Sequence, residues 1–299
     1  MNIKTLIERL KKLIINDYRV LGALERGMAV HEYVPIETIT NYSGLNINEV
    51  NFRLSHIHKL ELIKRWTGPY VGYYLTFAGY DCLALHALIE ADKLDLFGKA
   101  IGVGKESDVF DAITPEGENV AVKIHRLGRT SFRQTKRKRS YSKNKKHISW
   151  LYESRLAAEK EFEALKILYD FKLSVPNPIT SNRHIIVMEK IVGTPLFLLK
   201  ELPDKENILN EILDNIYTAF TKAKVIHGDL SEYNIIITPE LDIMIIDWPQ
   251  WVPSNHPNFK LYLKRDVSNI LKFFKRKYDV IRDENEIFNE FFNPKNLMK

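Results

Sequence analysis

The sequence predicts an α+β fold in which an N-terminal winged helix-turn-helix domain precedes a second, longer region. Three observations support this fold class. Residues 1–92 follow the order helix, turn, helix and β-ribbon that is typical of winged helices. From about residue 94 the apolar residues form short segments that indicate strands, and amphipathic segments after residue 149 indicate longer helices. A chain of 299 residues, 45% hydrophobic and 27% charged, has the size of two or three globular domains.

Local capping and turn signals place the elements of the N-terminal domain. Pro35 suits the first position of a helix, and Gly44 suits the left-handed turn that ends it. Asn46, followed three residues later by Glu49, forms the N-cap pattern of the next helix. The predicted elements are helices at 3–26, 35–44, 46–60 and 77–92, and β segments at 61–66 and 71–76.

Winged helices often bind nucleic acid through the third helix and the wing, and polar side chains are present at both places. The third helix offers Asn48, Asn51, Arg53, Ser55 and His56, and the wing offers Lys64, Arg65 and Tyr70. Many such domains only dock other proteins, and a polar helix surface is commonly just solvated. Both interpretations stay open at this point.

Positive charge is concentrated in one segment of the chain. Residues 126–147 carry ten Lys or Arg and no acid, although the formal net charge of the whole chain is only +6. Such a block is typical of a solvated loop or of a surface that contacts RNA phosphates. We therefore expect this basic loop and the winged helix to be the nucleic-acid contacts.

The composition indicates a cytoplasmic protein without a membrane partner. No apolar run approaches the roughly 20 residues of a membrane span, and the first residues lack the apolar core of a signal peptide. Cys82 is the only cysteine, which excludes an intramolecular disulfide framework and a cysteine metal cluster. Its apolar helical surroundings predict buried packing rather than redox chemistry.

A glycine-rich turn follows the first strand of the second region. Three antiparallel strands are predicted between residues 94 and 125, and "GVGKESDV" joins the first two. Without Cβ atoms, the backbone N–H groups at Gly102 and Gly104 can approach phosphates closely. Glycine pairs are also common in ordinary hairpins. The predicted phosphate-binding residues are Gly102, Val103, Gly104, Lys105, Glu106, Ser107 and Val109.

Lys123 lies within the apolar run "VAVKIH", where an unpaired ammonium group would be costly. Nucleotide phosphates together with a helix glutamate would supply the anion. On the long helix after residue 149, Glu161 falls on the inward-facing stripe, whereas Glu159 and Glu163 do not. The alternative is a lysine exposed on an edge strand.

An aspartate, an asparagine and a second aspartate stand beside apolar runs in "HGDLSEYN" and "IDW". This order, Asp229, Asn234 and Asp247, is used by protein-kinase-like enzymes. Asp229 would take or orient the proton of the attacking hydroxyl, while Asn234 and Asp247 would hold Mg²⁺, or Mn²⁺ in its place, against the phosphates of ATP. His227 is expected to hydrogen-bond backbone rather than to act as a base. Adenine would meet Met188 and the backbone of Glu189 and Ile191.

These motifs resemble the Rio family of atypical serine/threonine protein kinases, type-two branch. The matching segments are "GVGKESDVF", "VAVKIHRLGRTSFR", "SRLAAEKEF", "HGDLSEYNI" and "IDWPQ", with Trp248 where the family has Phe. The resemblance implies a trimmed two-lobed kinase, with a winged helix at 1–92, an N-lobe at 93–190 and a C-lobe at 191–299. It implies catalytic roles for Lys123 and Asp229, and an archaeal-type member without long C-terminal extensions. It also implies work on the RNA and proteins of the pre-small ribosomal subunit, by protein phosphorylation, autophosphorylation or ATP hydrolysis.

Two other functions use some of the same features. Small-molecule phosphotransferases of the aminoglycoside- and choline-kinase type share "HGDL…N…DW", but the chain has a winged helix and little room for their substrate-binding helices. A nucleic-acid-binding regulator with a vestigial kinase fold would have no need of the complete set of catalytic residues. The sequence therefore favours an active protein kinase.

Overall fold

The structure is a computed structural model that describes residues 3–128 and 150–292. It divides into two compact units, one of residues 1–155 with 182–185 and the other of 156–181 with 186–299. Within the described residues, no helix is both long enough and apolar enough to cross a membrane. The greater part of the predicted basic loop, from residue 129 onward, lies outside the described residues. The domain boundaries given by the resemblance stay a prediction.

The first unit begins with the predicted winged helix-turn-helix. Strands β1, β2 and β3 form an antiparallel sheet in the order β1-β3-β2. Helices α3 and α4 form the helix-turn-helix, since Gly44 ends α3 with φ 64° and the Asn46 side chain accepts from the N–H of Glu49 at 2.9 Å. The elements are α1 (Ile3–Leu10), α2 (Ile15–Gly27), β1 (Val34–Pro35), α3 (Ile36–Ser43), α4 (Ile47–Lys59), β2 (Ile63–Thr67), β3 (Val71–Leu75) and α5 (Phe77–Glu90).

Two details of the predicted helices are wrong. The helix expected at 3–26 is two helices, because α2 starts anew after Ile14, whose backbone N–H donates to the Asp17 carboxylate at 3.0 Å. This acid in the first turn is a helix-start signal inside an otherwise continuous apolar pattern. Pro35 is the residue before α3 rather than its first residue, because it pairs with Gly72 in the sheet.

The first unit also holds the three predicted antiparallel strands. These are β4 (Leu96–Val103), β5 (Ser107–Ile113) and β6 (Asn119–His125). The turn between β5 and β6 closes through a hydrogen bond from the Thr114 N–H to the Glu118 carbonyl, and Gly117 takes φ 85° there. Strand β6 buries Val120, Val122 and Ile124, so it belongs to the core of this unit. Short polar turns and alternating apolar residues were sufficient to predict these strands.

A buried ionic cluster connects α5 to the end of β6 inside the first unit. The guanidinium of Arg126 makes a two-pronged contact with the Asp81 carboxylate, with the Nη2–Oδ2 distance at 2.7 Å. His184 Nε2 lies 2.7 Å from the other oxygen of Asp81. All three side chains are almost fully buried. The winged helix and the β4–β6 strands are therefore held together by more than apolar packing.

The second unit is mainly helical around small sheets. Helix α6, which begins in the first unit, buries Ala158, Glu161, Leu165 and Leu168, as the predicted stripe requires. Strand β11 pairs antiparallel with β12 and β9. The elements are α6 (Trp150–Asp170), β7 (Pro178–Asn182), β8 (Ile185–Glu189), β9 (Thr194–Pro195), α7 (Lys205–Thr218), β10 (Val225–Ile226), β11 (Ile235–Ile237), β12 (Ile243–Ile245), β13 (Val252–Pro253), α8 (Phe259–Tyr278) and α9 (Glu284–Phe291).

Candidate active site

The glycine-rich turn of the first unit is built as a tight connection between β4 and β5. The Gly104 N–H donates to the Ser107 carbonyl at 2.8 Å, and a Cβ on Gly104 would come within 3.2 Å of that oxygen. Gly102 differs, because a Cβ there would meet only Val109 at an ordinary 3.7 Å. Packing within the protein thus explains the glycine at 104 but not the one at 102. An open glycine backbone at 102 is what a closely approaching phosphate needs.

Lys123 lies on the same face of the strands as this glycine. Gly102 pairs with Val109, and Val109 pairs with Lys123, so the three residues form one row across β4, β5 and β6. Lys123 is only 4% exposed, which rules out the alternative of a lysine displayed on an edge strand. The first unit therefore places Lys123 and the glycine backbone in one row, with Val109 between them. Among the other predicted residues of the turn, Val103, Gly104 and Lys105 are exposed, and Glu106, Ser107 and Val109 are half-buried.

In the second unit, Asp229 stands on a loop whose backbone is tightly fixed. Its side chain is 73% exposed, and the nearest cation is Arg265, with Nη2 at 3.9 Å from Oδ1. Gly228 has φ 77°, and a Cβ there would come within 2.9 Å of the Gln250 carbonyl oxygen. Glycine is required at this position for both reasons. The carboxylate of Asp229 is thereby exposed to a reactant while its own backbone cannot move freely.

Two residues of α8 hold the backbone on both sides of Asp229, and sequence reasoning missed both. The buried Asp266 carboxylate accepts from the Gly228 N–H at 2.7 Å and from the Leu230 N–H at 3.0 Å. The Asn269 amide donates to the Leu230 carbonyl at 3.0 Å. Burial raises the pKa of Asp266, although the two backbone N–H groups and His227 oppose that rise. An acid at helical spacing among buried apolar residues of α8 was the signal that could have identified it.

Asn234 and Asp247 present two oxygen-bearing groups at one place. Asn234 Nδ2 lies 3.4 Å from Asp247 Oδ2, and the Ser231 hydroxyl donates to Asn234 Oδ1 at 2.9 Å. Asp247 takes φ 70°, a conformation that non-glycine residues seldom adopt. The residues that the structure describes contain no group of three His, Cys, Asp or Glu suited to a metal. One amide and one carboxylate instead fit Mg²⁺, which keeps water and phosphate oxygens as its remaining ligands.

Residues behind Asp247 lock the segment that carries it. The Trp248 N–H donates to Glu161 Oε1 at 3.3 Å, so Glu161 reaches the backbone directly after Asp247. His227 Nε2 lies 3.1 Å from the Ile246 carbonyl oxygen, which confirms the predicted backbone-holding role of this histidine. The Trp248 indole is buried and donates to the Ile245 carbonyl at 3.1 Å, a bond that Phe could not make. The part of the Glu161 prediction that concerns Lys123 stays a prediction.

The predicted adenine contacts lie at the end of β8. Met188 is buried, whereas Glu189 is exposed. The Glu189 N–H is already bonded to the Asn177 carbonyl at 2.8 Å, and its carboxylate accepts from the Asn177 N–H at 3.1 Å. The Glu189 N–H is thus already used within the protein, and the predicted adenine contacts of Met188, the Glu189 carbonyl and Ile191 stay predictions.

Comparison with known proteins identifies the family to which these features belong. A family model described as "RIO domain" matches residues 108–287, and a second, "Rio2, N-terminal", matches residues 10–91. The chain belongs to the RIO family of serine/threonine protein kinases, in its Rio2 branch. The predicted α+β fold class, with a winged helix before a kinase-like domain, is confirmed.

Relatives within the Rio2 branch match nearly the whole chain. The RIO-type serine/threonine-protein kinase Rio2 of Methanocaldococcus jannaschii is 41% identical over 87% of this chain and 96% of its own length. The serine/threonine-protein kinase rio2 of Dictyostelium discoideum is 38% identical over 96% of this chain. The chain spans only 55% of that relative, and 53% of the RIO2 kinase of Caenorhabditis elegans.

A crystal structure of the Rio2 kinase from Chaetomium thermophilum, in an ADP/Mg²⁺-phosphoaspartate complex, has the same fold. It superimposes with a TM-score of 0.82 at 36% identity, over 94% of this chain and 87% of the Chaetomium chain. Asp229, Asn234 and Asp247 thus stand in a fold whose Rio2 representative was crystallised with ADP, Mg²⁺ and a phosphorylated aspartate.

Proposed function

We propose that the protein is an ATP- and Mg²⁺-dependent atypical serine/threonine kinase that transfers the γ-phosphoryl group of ATP to a protein hydroxyl or to itself. The observation that carries this proposal is the fixed loop of the second unit. Asp229 is exposed on a backbone held by Asp266, and the oxygen-bearing pair of Asn234 and Asp247 lies on the same unit. This combination of a positioned carboxylate and a two-ligand metal site is what phosphoryl transfer requires.

Each residue has a definite task in this reaction. The open backbone at Gly102 lets phosphate oxygens approach closely, whereas the Gly104 N–H is used by the Ser107 carbonyl and shapes the turn. The ammonium group of Lys123 neutralises the phosphate charge. Asp229 accepts a hydrogen bond from the attacking hydroxyl and takes its proton as the new P–O bond forms. Asn234 and Asp247 would hold Mg²⁺, which neutralises negative charge on the phosphates. The site could also hold Mn²⁺, which has the same preference for oxygen ligands.

ATP hydrolysis is the second activity that we include in the proposal. The Chaetomium relative was crystallised with a phosphoaspartate. In this chain the candidate carboxylates are Asp229, which is largely exposed, and Asp247. Transfer of the γ-phosphoryl group to a carboxylate oxygen releases ADP and leaves an acyl phosphate, which water then cleaves. No specific observation favours a small-molecule acceptor or a vestigial site.

We further propose that this activity serves maturation of the small ribosomal subunit in the cytoplasm. The support is the winged helix, together with the ten positive charges of residues 126–147. When so many cations contact RNA phosphates, the binding affinity falls steeply as the salt concentration rises. The proposed partners are pre-ribosomal RNA, which the positive charges would bind, and the proteins on that RNA, which the kinase site would phosphorylate.

The test of the enzymatic proposal compares Asp229→Asn with Asp214→Asn, an exposed aspartate on α7. Formation of ADP and incorporation of labelled phosphate into protein are measured separately, and MgATP affinity is measured by titration. We expect Asp229→Asn to slow both reactions by at least about a hundredfold while affinity changes less than about threefold. Asp214→Asn should behave like the wild type. Undiminished phosphoryl transfer in Asp229→Asn would refute the assigned role.

A further inference from the structure

An aromatic cluster covers the outer face of the wing, where it is not needed for the core. Strand pairing sets Lys64 opposite Tyr74 and Trp66 opposite Gly72, so these side chains share one face of the β1–β3 sheet. The buried residues Ile63 and Leu75 belong to the other face. Tyr33, directly before β1, falls on the outer face with them.

The rings of this cluster are arranged as a built platform. The Tyr33 and Trp66 rings stack at 4.5 Å with only 9° between their planes. Tyr74 meets Tyr33 edge-on at 5.7 Å, and Tyr70 meets Trp66 edge-on at 5.3 Å. The Tyr70 hydroxyl donates to the Tyr33 carbonyl at 2.8 Å, which fixes the tip of the wing to the start of β1. None of the four rings is buried.

Two glycines make room for the stack. A Cβ on Gly68 would come within 2.1 Å of the Trp66 ring, and a Cβ on Gly72 would come within 2.7 Å of the Tyr33 Cβ. The Trp66 and Tyr33 side chains therefore lie directly against glycine backbone.

The recognition helix α4 offers less positive charge to a nucleic acid than the sequence suggested. Arg53 is held by Glu49 at 2.7 Å and lies 3.8 Å from the buried Asp17. His56 lies 3.2 Å from the same Asp17 carboxylate. Phe52 is 62% exposed, and the uncharged polar residues Asn48, Asn51 and Ser55 are exposed as well. Two of the predicted contacts are thus committed inside the domain, whereas Lys64, Arg65 and Tyr70 of the wing are exposed.

We infer that the outer face of the wing binds unpaired bases of single-stranded RNA by stacking on the Tyr33–Trp66 pair, with Lys64 on a neighbouring phosphate. This inference rests on the RNA partner proposed above and assigns the contact to the wing instead of α4. A base supplies the flat π-surface that stacks on exposed aromatic rings, and its phosphate supplies the anion for the lysine. Along the described strands, this face carries no Leu, Ile, Val or Met that would anchor a protein partner.

The charges around the platform agree with a stacking site of modest electrostatic strength. Lys64 and Arg65 are exposed at the wing, and Glu32 is the only acid in residues 32–35 and 63–75. Arg65 pairs with Tyr73 and therefore belongs to the other face of the sheet, so Lys64 is the cation of this face along the described strands. One cation alone gives a shallow salt dependence, with a slope of roughly −0.7 in log affinity against log salt for a single strand. Ring stacking therefore has to supply most of the affinity at this site.

The test uses the full chain and two fluorescein-labelled probes, a single-stranded oligouridylate of fifteen nucleotides and an RNA duplex of the same length. Trp66→Leu removes the ring, Trp66→Phe retains one, and Phe52→Leu is the matched control on α4. We expect Trp66→Leu to weaken single-strand binding about tenfold, which is about 1.4 kcal/mol. Trp66→Phe should stay within about threefold of the wild type, since a ring remains for stacking. Phe52→Leu and all duplex affinities should be unchanged.

Two further measurements separate binding from folding. Oligouridylate should quench tryptophan fluorescence of the wild type, and the quench should be reduced in Trp66→Phe. Thermal unfolding shows whether Trp66→Leu folds; if it does not, Tyr70→Leu at the exposed edge replaces it and should also weaken binding. Wild-type affinity in the ring-removing variant, or an equal loss in Phe52→Leu, would overturn the inference while leaving the RNA partner in place. A wild type that binds neither probe would overturn both, and the Asp229→Asn assay would still decide the kinase activity.

Discussion

Replacement of Asp81 by Asn should cost the first unit a large part of its stability. The Asp81 carboxylate is fully buried and meets the guanidinium of Arg126, which is 5% exposed, and the ring of His184, which is fully buried. Asn has the same shape but no charge, so the Arg126 cation would lose its main anion inside the protein. Removing one partner of a buried ion pair typically destabilises a protein by about 3–5 kcal/mol.

The structure places the expected loss at the lower end of that range. Asp108 Oδ2 lies 4.0 Å from Arg126 Nε, so part of the charge stays compensated after the substitution. We therefore expect a loss of about 3 kcal/mol in the free energy of unfolding. Guanidinium unfolding gives this value, and amide hydrogen exchange of peptides from α5 and β6 shows whether the loss is local to the cluster.

A second substitution distinguishes an unpaired charge from lost packing. Asp81→Asn combined with Arg126→Met removes both charges, and replacing a buried pair by apolar groups is often neutral or stabilising. The double variant should therefore recover most of the loss. Asp95→Asn, an exposed aspartate directly before β4, is the matched control and should change stability by less than about 0.5 kcal/mol. A loss below about 1 kcal/mol in the single variant would refute the reasoning.

Two further predictions concern pH and the catalytic loop. Burial alone would raise the pKa of Asp81, but the contacts with Arg126 and His184 have a larger effect and hold this pKa below its ordinary value. Burial lowers the pKa of His184. At both residues the unfolded chain therefore binds more protons than the folded chain as the pH falls. The free energy of unfolding should decrease below about pH 6.5 because of His184, and decrease again below about pH 4 because of Asp81. A His184→Gln variant that still loses stability just below pH 6.5 would contradict this. Asp266→Asn should lower kcat about a hundredfold and leave the KM for MgATP within about threefold. The reason is that the single amide oxygen cannot replace the two carboxylate oxygens that accept from the Gly228 and Leu230 N–H groups. Equal changes in kcat and KM would argue against a positioning role.

Features with a local cause could be predicted from the sequence. Gly44 and Asn46 act through their own backbone and the next turn, so their roles in ending and starting helices follow from residue type. The spacing of Asp229, Asn234 and Asp247 reflects one loop and one hairpin, β11–β12. Such signals survive in a single sequence because the physical cause lies within a few residues.

Features with a distant cause could not be predicted in the same way. Periodicity indicates that Asp81 and Asp17 are buried but does not name their partners, which lie 45 and 39 residues away at Arg126 and His56. The consequence is largest at α4, where Arg53 and His56 look available to a ligand in the sequence and are bound to Asp17 in the fold. A buried acid withdraws cations from the surface, and only the structure shows which ones.

Helix α8 shows how much of the candidate site depends on one such distant element. Asp266 and Asn269 hold the backbone around Asp229 from the buried side. On the exposed side, Arg265 lies 3.9 Å from Asp229, and Arg276 lies 3.1 Å from Glu232. Positions 265, 269 and 276 fall on one stripe of a helix, so a single rigid element sets both the backbone and the charge around the loop. The geometry of the proposed base is thus determined by a helix that follows it in the chain, and two arginines of that helix lie beside acids of the loop.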